Sequence, residues 1–233
     1  MRFEETKVFG FENAILGMRL PMCHSLAEAK DKSDSTFYND GLPLSIGPDD
    51  LKILKNLINA DNQNEKTGQP NSKVLRMIHV QVCITAPDYF FRELDTYKVG
   101  TVRNSSSQMH KLASTPITID CFEMDDVSNV EAFENHMTTI GYWKKSLIPY
   151  LEALRIKYNE TKEKKYWKEL LRLLPQSWLY TSIFDCNYET LRNICSWRSN
   201  HKLNEWSGKD KQGVQCFMDW ASCLPYAKEL IFN

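Results

Sequence analysis

RELDTYKVGTVRNSSSQMHKL, residues 92–112, is the stretch on which the reading of the whole chain turns. The apolar run Tyr89, Phe90 and Phe91 leads into it as a helix, and Gly100 interrupts that helix. Beyond the glycine come Arg103, Asn104, the three serines 105–107 and a short basic segment, His110 and Lys111. Asparagine is a favoured N-cap residue, so a helix restarting at Asn104 would point free backbone N–H groups and the positive end of its dipole outward. With the hydroxyls of Ser105 to Ser107 and the Arg103 side chain beside them, that outlines an anion site suited to phosphate or carboxylate. The plainer alternative is a capped helix in a serine-rich turn, a common surface arrangement.

A second stretch, LRLLPQSWLYTSIFDCNYETLRNICSWRSNHKL at 171–203, adds to the first. Pro175 breaks a helix, Tyr180 to Cys186 reads as a strand, and a helix opens at Asn187 or Tyr188 with Leu191, Ile194, Cys195 and Trp197 toward the core. Arg198, His201 and Lys202 then fall within about one turn of each other, three potential cations on one helix face. An anion pocket and a solvated basic helix end both accommodate that pattern.

Together the two stretches resemble the flavin-dependent thymidylate synthases. In that family a helix ends in Arg-His-Arg, followed by a Ser, an Asn and a further Ser before an Arg-Tyr pair; later come Leu-Pro, a Tyr-Thr-Arg-like segment and an Asn-Leu-Arg helix. Asn104 and Ser107 match the Asn and last Ser, Leu174 and Pro175 match Leu-Pro, and Arg198 matches the late arginine. Pro87 stands where the family has a proline ahead of an Arg-Glu pair, here Arg92 and Glu93. The resemblance spans about 74–203. It departs at Arg-His-Arg, where Thr96-Tyr97-Lys98 or Tyr97-Lys98-Val99 stands, and at Arg-Tyr, now Met109-His110. The arginine after Leu-Pro becomes Thr181 or Ser182, and the late Ala-Gln-x-Glu-Ile-Arg stretch becomes Asn204-Glu205-Trp206. Arginine's bidentate grip on phosphate has no hydroxyl substitute, so these changes bear on flavin binding.

The resemblance implies an α+β fold with a mixed sheet and long helices, in a single domain over 1–233 with a possible loop break at 61–72. It implies a methyltransferase that binds a pyrimidine deoxynucleotide such as dUMP and transfers a one-carbon unit to C5, with a folate donor and reduced FAD supplying hydride. Arg198 and Ser107 would be the catalytic residues. Asn104, Ser107, Arg103, Arg198, His201 and Lys202 would hold substrate, and Arg92, Tyr97 and Lys98 would face the cofactor. A homotetramer is expected on the same ground. The alternative is a nucleotide-binding protein on this scaffold that senses or sequesters its ligand, the flavin-binding arginines having been lost.

Composition sets outer bounds. The chain has 233 residues, 42% of them hydrophobic, enough for a sizeable core. A net charge of -1 lacks the basic excess of a nucleic-acid-coating protein. Seven cysteines form no CxxC pair and sit mostly in apolar runs, which fits reduced thiols and a cytoplasmic setting; no signal pattern or membrane-length apolar run is present. Cys23-His24 has no companion ligand at metal-site spacing, so no metal is expected.

The remaining expectations are structural. Thr6–Gly10 reads as a strand and Glu12–Met18 as a helix; the polar segment to Pro43 reads as irregular. Gly47-Pro48-Asp49-Asp50 is a helix start. Val74–Ala86, with His79 in a structural role, and Pro116–Met124 read as strands by alternation. From Asn129 to Leu174 the chain is helical, interrupted at Pro149 and at Asn159–Lys165, with Phe133, Met137, Ile140, Leu147, Leu151, Leu154 and Tyr158 at helical spacing. The aromatic tail from Trp206 to Tyr226 is expected to dock on the body or on a neighbouring subunit.

Overall fold

The structure, a computed structural model, describes residues 1–63, 71–107, 111–125, 127–128, 130, 137–208 and 215–233. β1 (Arg2–Phe9) leads into α1 (Phe11–Arg19); α2 (Leu26–Lys32), the short strands β2 (Thr36–Phe37) and β3 (Pro43–Ser45), and α3 (Pro48–Gln63) follow. Then come β4 (His79–Pro87), α4 (Asp88–Leu94) and β5 (Thr101–Ser105). A helical run follows: α5 (Thr139–Tyr142), a π-helical turn Trp143–Leu147, α6 (Ile148–Thr161) and α7 (Lys164–Leu173). β6 (Leu179–Asn187) leads into α8 (Tyr188–Arg198), and three short helices close the chain: α9 (Asn204–Ser207), α10 (Phe217–Ser222) and α11 (Ala227–Leu230).

The main sheet has the order β1-β4-β6-β5, and β2 pairs with β3 in an antiparallel ribbon. Tyr188 N–H donates to the Ile78 carbonyl at 2.9 Å, and the Thr85 and Thr181 hydroxyls meet at 2.8 Å. Those contacts tie the start of β4 to the end of β6 and the reverse, so the two strands run antiparallel. The alternation read in the sequence is present: Val80, Val82 and Ile84 are buried while Gln81 is exposed. The strand itself begins only at His79, because Lys73–Arg76 tightens into a 3-10 turn.

The chain divides into two compact units. One holds Thr85–Thr96 and Asn104–Ser182, the other Arg2–Ile84, Tyr97–Arg103 and Ile183–Asn233. In the first, Leu112, Ile117, Phe122, Leu151, Leu154 and Leu170 form a buried cluster, and Phe122 meets Trp143 and Trp178 edge-on at 5.0 and 5.4 Å. Pro149 does not interrupt this helical run. It lacks the N–H that an α-turn would direct at Lys145, and the wider π-turn over Trp143–Leu147 absorbs the missing bond. The expected strand at Pro116–Met124 is a 3-10 turn at Ile119–Cys121, with Phe122 bridging to Trp178. Of the apolar positions expected in the helix from Asn129, Phe133 lies outside the described residues, as does most of the loop at 61–72.

In the second unit the polar segment read as irregular is ordered around a buried carboxylate. Asp50, fully buried, accepts Arg19 Nε at 2.5 Å and the hydroxyls of Ser33 and Ser35 at 2.7 and 2.6 Å. Asp34 accepts the N–H groups of Asp49 and Asp50, capping α3 from a distance. Gly47 permits that approach, since a Cβ there would lie 2.0 Å from the Asp34 carboxyl carbon. The aromatic tail docks on its own unit: Phe217 and Trp220 pack on Phe3, and the Tyr226 hydroxyl accepts the Ile46 N–H at 2.7 Å. All seven cysteines are unpaired; Cys186, Cys195 and Cys216 are buried and Cys223 is exposed. Among the described residues no helix is long and apolar enough to cross a membrane.

Candidate functional site

The helix restart expected at Asn104 is absent. Thr101–Ser105 is a strand, because the sheet supplies partners that a new helix would have to find locally. The Ser182 hydroxyl donates to the Asn104 carbonyl at 3.2 Å, and Ser106 N–H donates to the Thr181 carbonyl at 2.9 Å. The predicted cluster of outward N–H groups therefore does not form at Asn104.

A different arrangement forms in the unit containing α8. Asn187 caps that helix, its side-chain oxygen accepting Thr190 N–H at 2.9 Å. Gly100, at φ +72°, crosses directly over this cap: a Cβ there would lie 2.6 Å from Thr190 Oγ1 and 3.1 Å from Asn187 Nδ2. The Thr190 hydroxyl donates to the Val99 carbonyl at 3.3 Å, and Thr101 Oγ1 donates to the Tyr97 carbonyl at 2.5 Å. The turn from Tyr97 to Thr101 is thus folded on itself and laid along α8, and its first residue reaches the last residue of the helix. Arg198 Nε donates to the Tyr97 hydroxyl at 2.9 Å. The guanidinium carbon lies 5.3 Å from the Tyr97 ring centre and 5.2 Å from the Trp206 ring, within range of cation–π attraction to both.

The Trp206 face of this cage is core. Trp206 is fully buried and packs on Phe217 at 4.9 Å, Phe217 on Trp220 at 5.1 Å, and Trp220 on Phe3 at 5.2 Å. A guanidinium held against such a surface keeps its plane and direction, unlike one on a free side chain.

Of the residues singled out in the sequence, this unit brings together Tyr97 and Arg198, with Lys98 exposed beside Tyr97 and Arg103 half-buried on β5. His201 and Lys202 do not share a helix face with Arg198, because α8 ends there. His201 sits in the following turn, its N–H donating to the Arg198 carbonyl at 3.1 Å and its Nδ1 accepting Leu203 N–H at 3.2 Å. Lys202 is exposed. Trp197, read as core, is 75% exposed and donates through Nε1 to Asn193 at 3.1 Å, one turn back on the same helix. In the other unit lie Asn104, Ser107 and Arg92. Ser107 is half-buried and its carbonyl accepts Lys111 N–H at 2.9 Å; Arg92 is 62% exposed and paired with Asp88 at 2.7 Å within α4.

His79 lies 3.4 Å from Asp185 and stacks on Phe9 at 5.6 Å, a cross-strand packing contact. Among the described residues no three His, Cys, Asp or Glu side chains are grouped to hold a metal ion. Trp206 is the member of the cage that the sequence does not single out as a site residue. Tyr97, expected to face the cofactor, and Trp206, expected in the docking tail, come near Arg198 only when the chain folds.

Comparison with solved structures places this architecture. The flavin-dependent thymidylate synthase ThyX of Helicobacter pylori, solved with FAD and dUMP, aligns over 100% of this chain and 98% of its own at a TM-score of 0.59 and 17% identity. The fold is that of the flavin-dependent thymidylate synthases. A second structure of the H. pylori ThyX with FAD and dUMP, at 2.31 Å resolution, aligns over 98% of this chain and 97% of its own, at a TM-score of 0.59 and 16% identity. At such identities the ThyX likeness is one of fold. No family model matches the sequence, and no curated protein matches it. The ThyX fold covers the whole chain, so the α+β class implied by the sequence motifs, helices with a sheet, is correct.

Proposed function

We propose that this chain binds a pyrimidine deoxynucleotide of the dUMP type, with Arg198 as the main polar contact to the ligand and Arg103 and Lys202 contributing positive charge around it. The observation that carries this reading is the caged guanidinium: Arg198, the residue matched to the late arginine motif, is fixed by Tyr97 and Trp206 in a chain whose fold is that of enzymes solved with dUMP. A hydrogen bond from a charged donor contributes about 1.5–3 kcal/mol. Arg198→Ala should therefore weaken dUMP binding by about 10- to 100-fold in calorimetric titration. Unchanged affinity for dUMP, and for the other pyrimidine nucleotides, would remove Arg198 from the site.

The side chains at the family's flavin-phosphate motif do not fit the cofactor as three clustered cations would. Lys98 supplies one exposed charge, Tyr97 is neutral and engaged with Arg198, and Arg92 is paired with Asp88. A second reading, flavin-dependent transfer of a one-carbon unit from a folate donor to C5 of dUMP by a homotetramer, is favoured by the full-length likeness to ThyX.

The absorption spectrum of the purified protein with and without added FAD separates the two readings. A bound-flavin band supports the transferase. A colourless protein that ignores FAD yet melts higher with dUMP supports nucleotide binding alone, since ligand at 100 times its dissociation constant stabilises by about 2.7 kcal/mol. Light scattering reports the subunit number.

A further inference from the structure

We propose that Tyr97 is a positioning residue for Arg198. The side chain standing at the family's cation motif has been turned from holding a cofactor to orienting the residue that contacts the nucleotide. This rests on the nucleotide-binding reading above and deepens it.

Three observations converge. First, the contact is specific in both its parts: Arg198 Nε donates to the phenol oxygen at 2.9 Å while the guanidinium lies 5.3 Å from the same ring. A phenylalanine would keep the ring contact and lose the hydrogen bond; an alanine would lose both. Second, Trp206 closes the other side at 5.2 Å and belongs to the buried core, so Arg198 is held between the core and the turn that carries Tyr97. Third, that turn is fastened at its far end to the first turn of α8 by the Thr190 to Val99 hydrogen bond and the glycine crossing at Gly100. The tyrosine therefore approaches Arg198 from a strut anchored on the same helix.

The chemical consequence concerns direction more than charge. A guanidinium donates from a planar fork, and recognition of a planar heterocycle or a phosphate depends on where that fork points. With Nε engaged by the phenol and the guanidinium carbon 5.3 and 5.2 Å from two rings, the group is held in place before the ligand arrives, which lowers the ordering cost of binding. An arginine at position 97 would instead place a second positive charge against the first.

The test uses the full chain with dUMP as probe, and Tyr97→Phe, Tyr97→Ala, Arg198→Ala and the Tyr97→Ala/Arg198→Ala double variant. Calorimetry is expected to give a dissociation constant about five- to tenfold weaker for Tyr97→Phe and more than tenfold weaker for Tyr97→Ala, with no further loss when Tyr97→Ala is added to Arg198→Ala. A readout without ligand accompanies it. In nitrogen-15 spectra the Arg198 Nε–H resonance, identified by its absence from Arg198→Ala, should exchange faster with water in Tyr97→Phe and also lose its ring-current shift in Tyr97→Ala. Equal loss of dUMP affinity from Tyr97→Ala in the wild-type and Arg198→Ala backgrounds would overturn the proposal, since Tyr97 would then act independently. So would wild-type dUMP affinity in Tyr97→Phe and Tyr97→Ala alongside weakened binding in Arg198→Ala. A wild-type protein that binds no pyrimidine nucleotide gives a different result again: the nucleotide reading falls, and this one with it.

Discussion

Replacing Gly100 by alanine tests the strut that carries Tyr97 to Arg198. The glycine sits at φ +72°, and a left-handed backbone costs an L-residue roughly 1–2 kcal/mol. The new methyl would also meet Thr190 Oγ1 at 2.6 Å and Asn187 Nδ2 at 3.1 Å, so the turn must lift or the helix cap must move. Loss of the Asn187 cap costs a further ~1 kcal/mol. The expected total is about 2–3 kcal/mol. At about 2 cal/mol/K per residue, a chain of 233 residues has an unfolding entropy of roughly 0.5 kcal/mol/K, and the melting temperature should fall by about 4–6 °C.

Denaturant titration of Gly100→Ala, Thr190→Ala and the double variant separates the two parts. Thr190→Ala removes one hydrogen bond, about 1 kcal/mol, and also the atom struck by the new methyl. The double variant should therefore be less destabilised than the two single effects together, by about 1 kcal/mol, with the backbone cost remaining. A Gly100→Ala effect under ~0.5 kcal/mol, the range of ordinary surface substitutions, would refute the crossing of the turn over the cap. So would strict additivity. Because the turn carries Tyr97, Gly100→Ala is also expected to weaken dUMP binding in the direction of Tyr97→Ala.

Three further predictions concern the two units separately. Asp50→Ala removes the acceptor shared by Arg19, Ser33 and Ser35 and leaves a buried guanidinium, so it should cost about 3–5 kcal/mol in urea unfolding, while Arg19→Met/Asp50→Leu should recover most of that loss; an Asp50→Ala effect below ~1 kcal/mol would contradict the network. Burial pushes the Cys195 thiol up to about 12 and raises that of Cys186 also, so both stay neutral and shielded. A thiol reagent at neutral pH should label exposed Cys223 in the native protein and reach those two only after unfolding; rapid native labelling of either would contradict their burial. The Arg155 guanidinium, with help from Ile117 N–H and against the effect of burial, holds the Glu152 carboxyl below its ordinary value of 4.5. The stability from that pairing is fully present above 4.5 and is lost as pH falls through the depressed folded value. Glu152→Gln should cost about 1–2 kcal/mol at neutral pH and nothing once the carboxylate is protonated; a pH-independent difference would rule out the ion pair as its source.

Much of this protein could be read from residue order alone, because the information was local. Periodicity and caps located α1, α3, β4, β6 and α8: Pro48 with Asp49 and Asp50 sets a helix start, and Asn187 caps α8 as its position predicts. The motifs Asn104, Ser107, Leu174-Pro175 and Arg198 were enough to reach the ThyX fold at 17% identity. Where the competing forces were tertiary, the sequence misled. Asn104 has the chemistry of a helix cap, yet Thr181 and Ser182 on β6 offered sheet partners and the segment became a strand. Pro116–Met124 alternates like a strand and forms a 3-10 turn instead, with Phe122 spent on packing between Trp143 and Trp178. The segment before Pro43 looks featureless because its organising charge, Asp50, enters from a different helix.

The same division holds at the candidate site. Sequence placed Arg198 on a capped amphipathic helix, since capping and helical spacing act over a few residues, but carried that helix on through His201 and Lys202, where the structure ends it at Arg198. Only the tertiary structure decided what holds it: Tyr97 lies 101 positions away, and it reaches Arg198 because a glycine in the left-handed region lets one turn cross a helix cap where any side chain would collide.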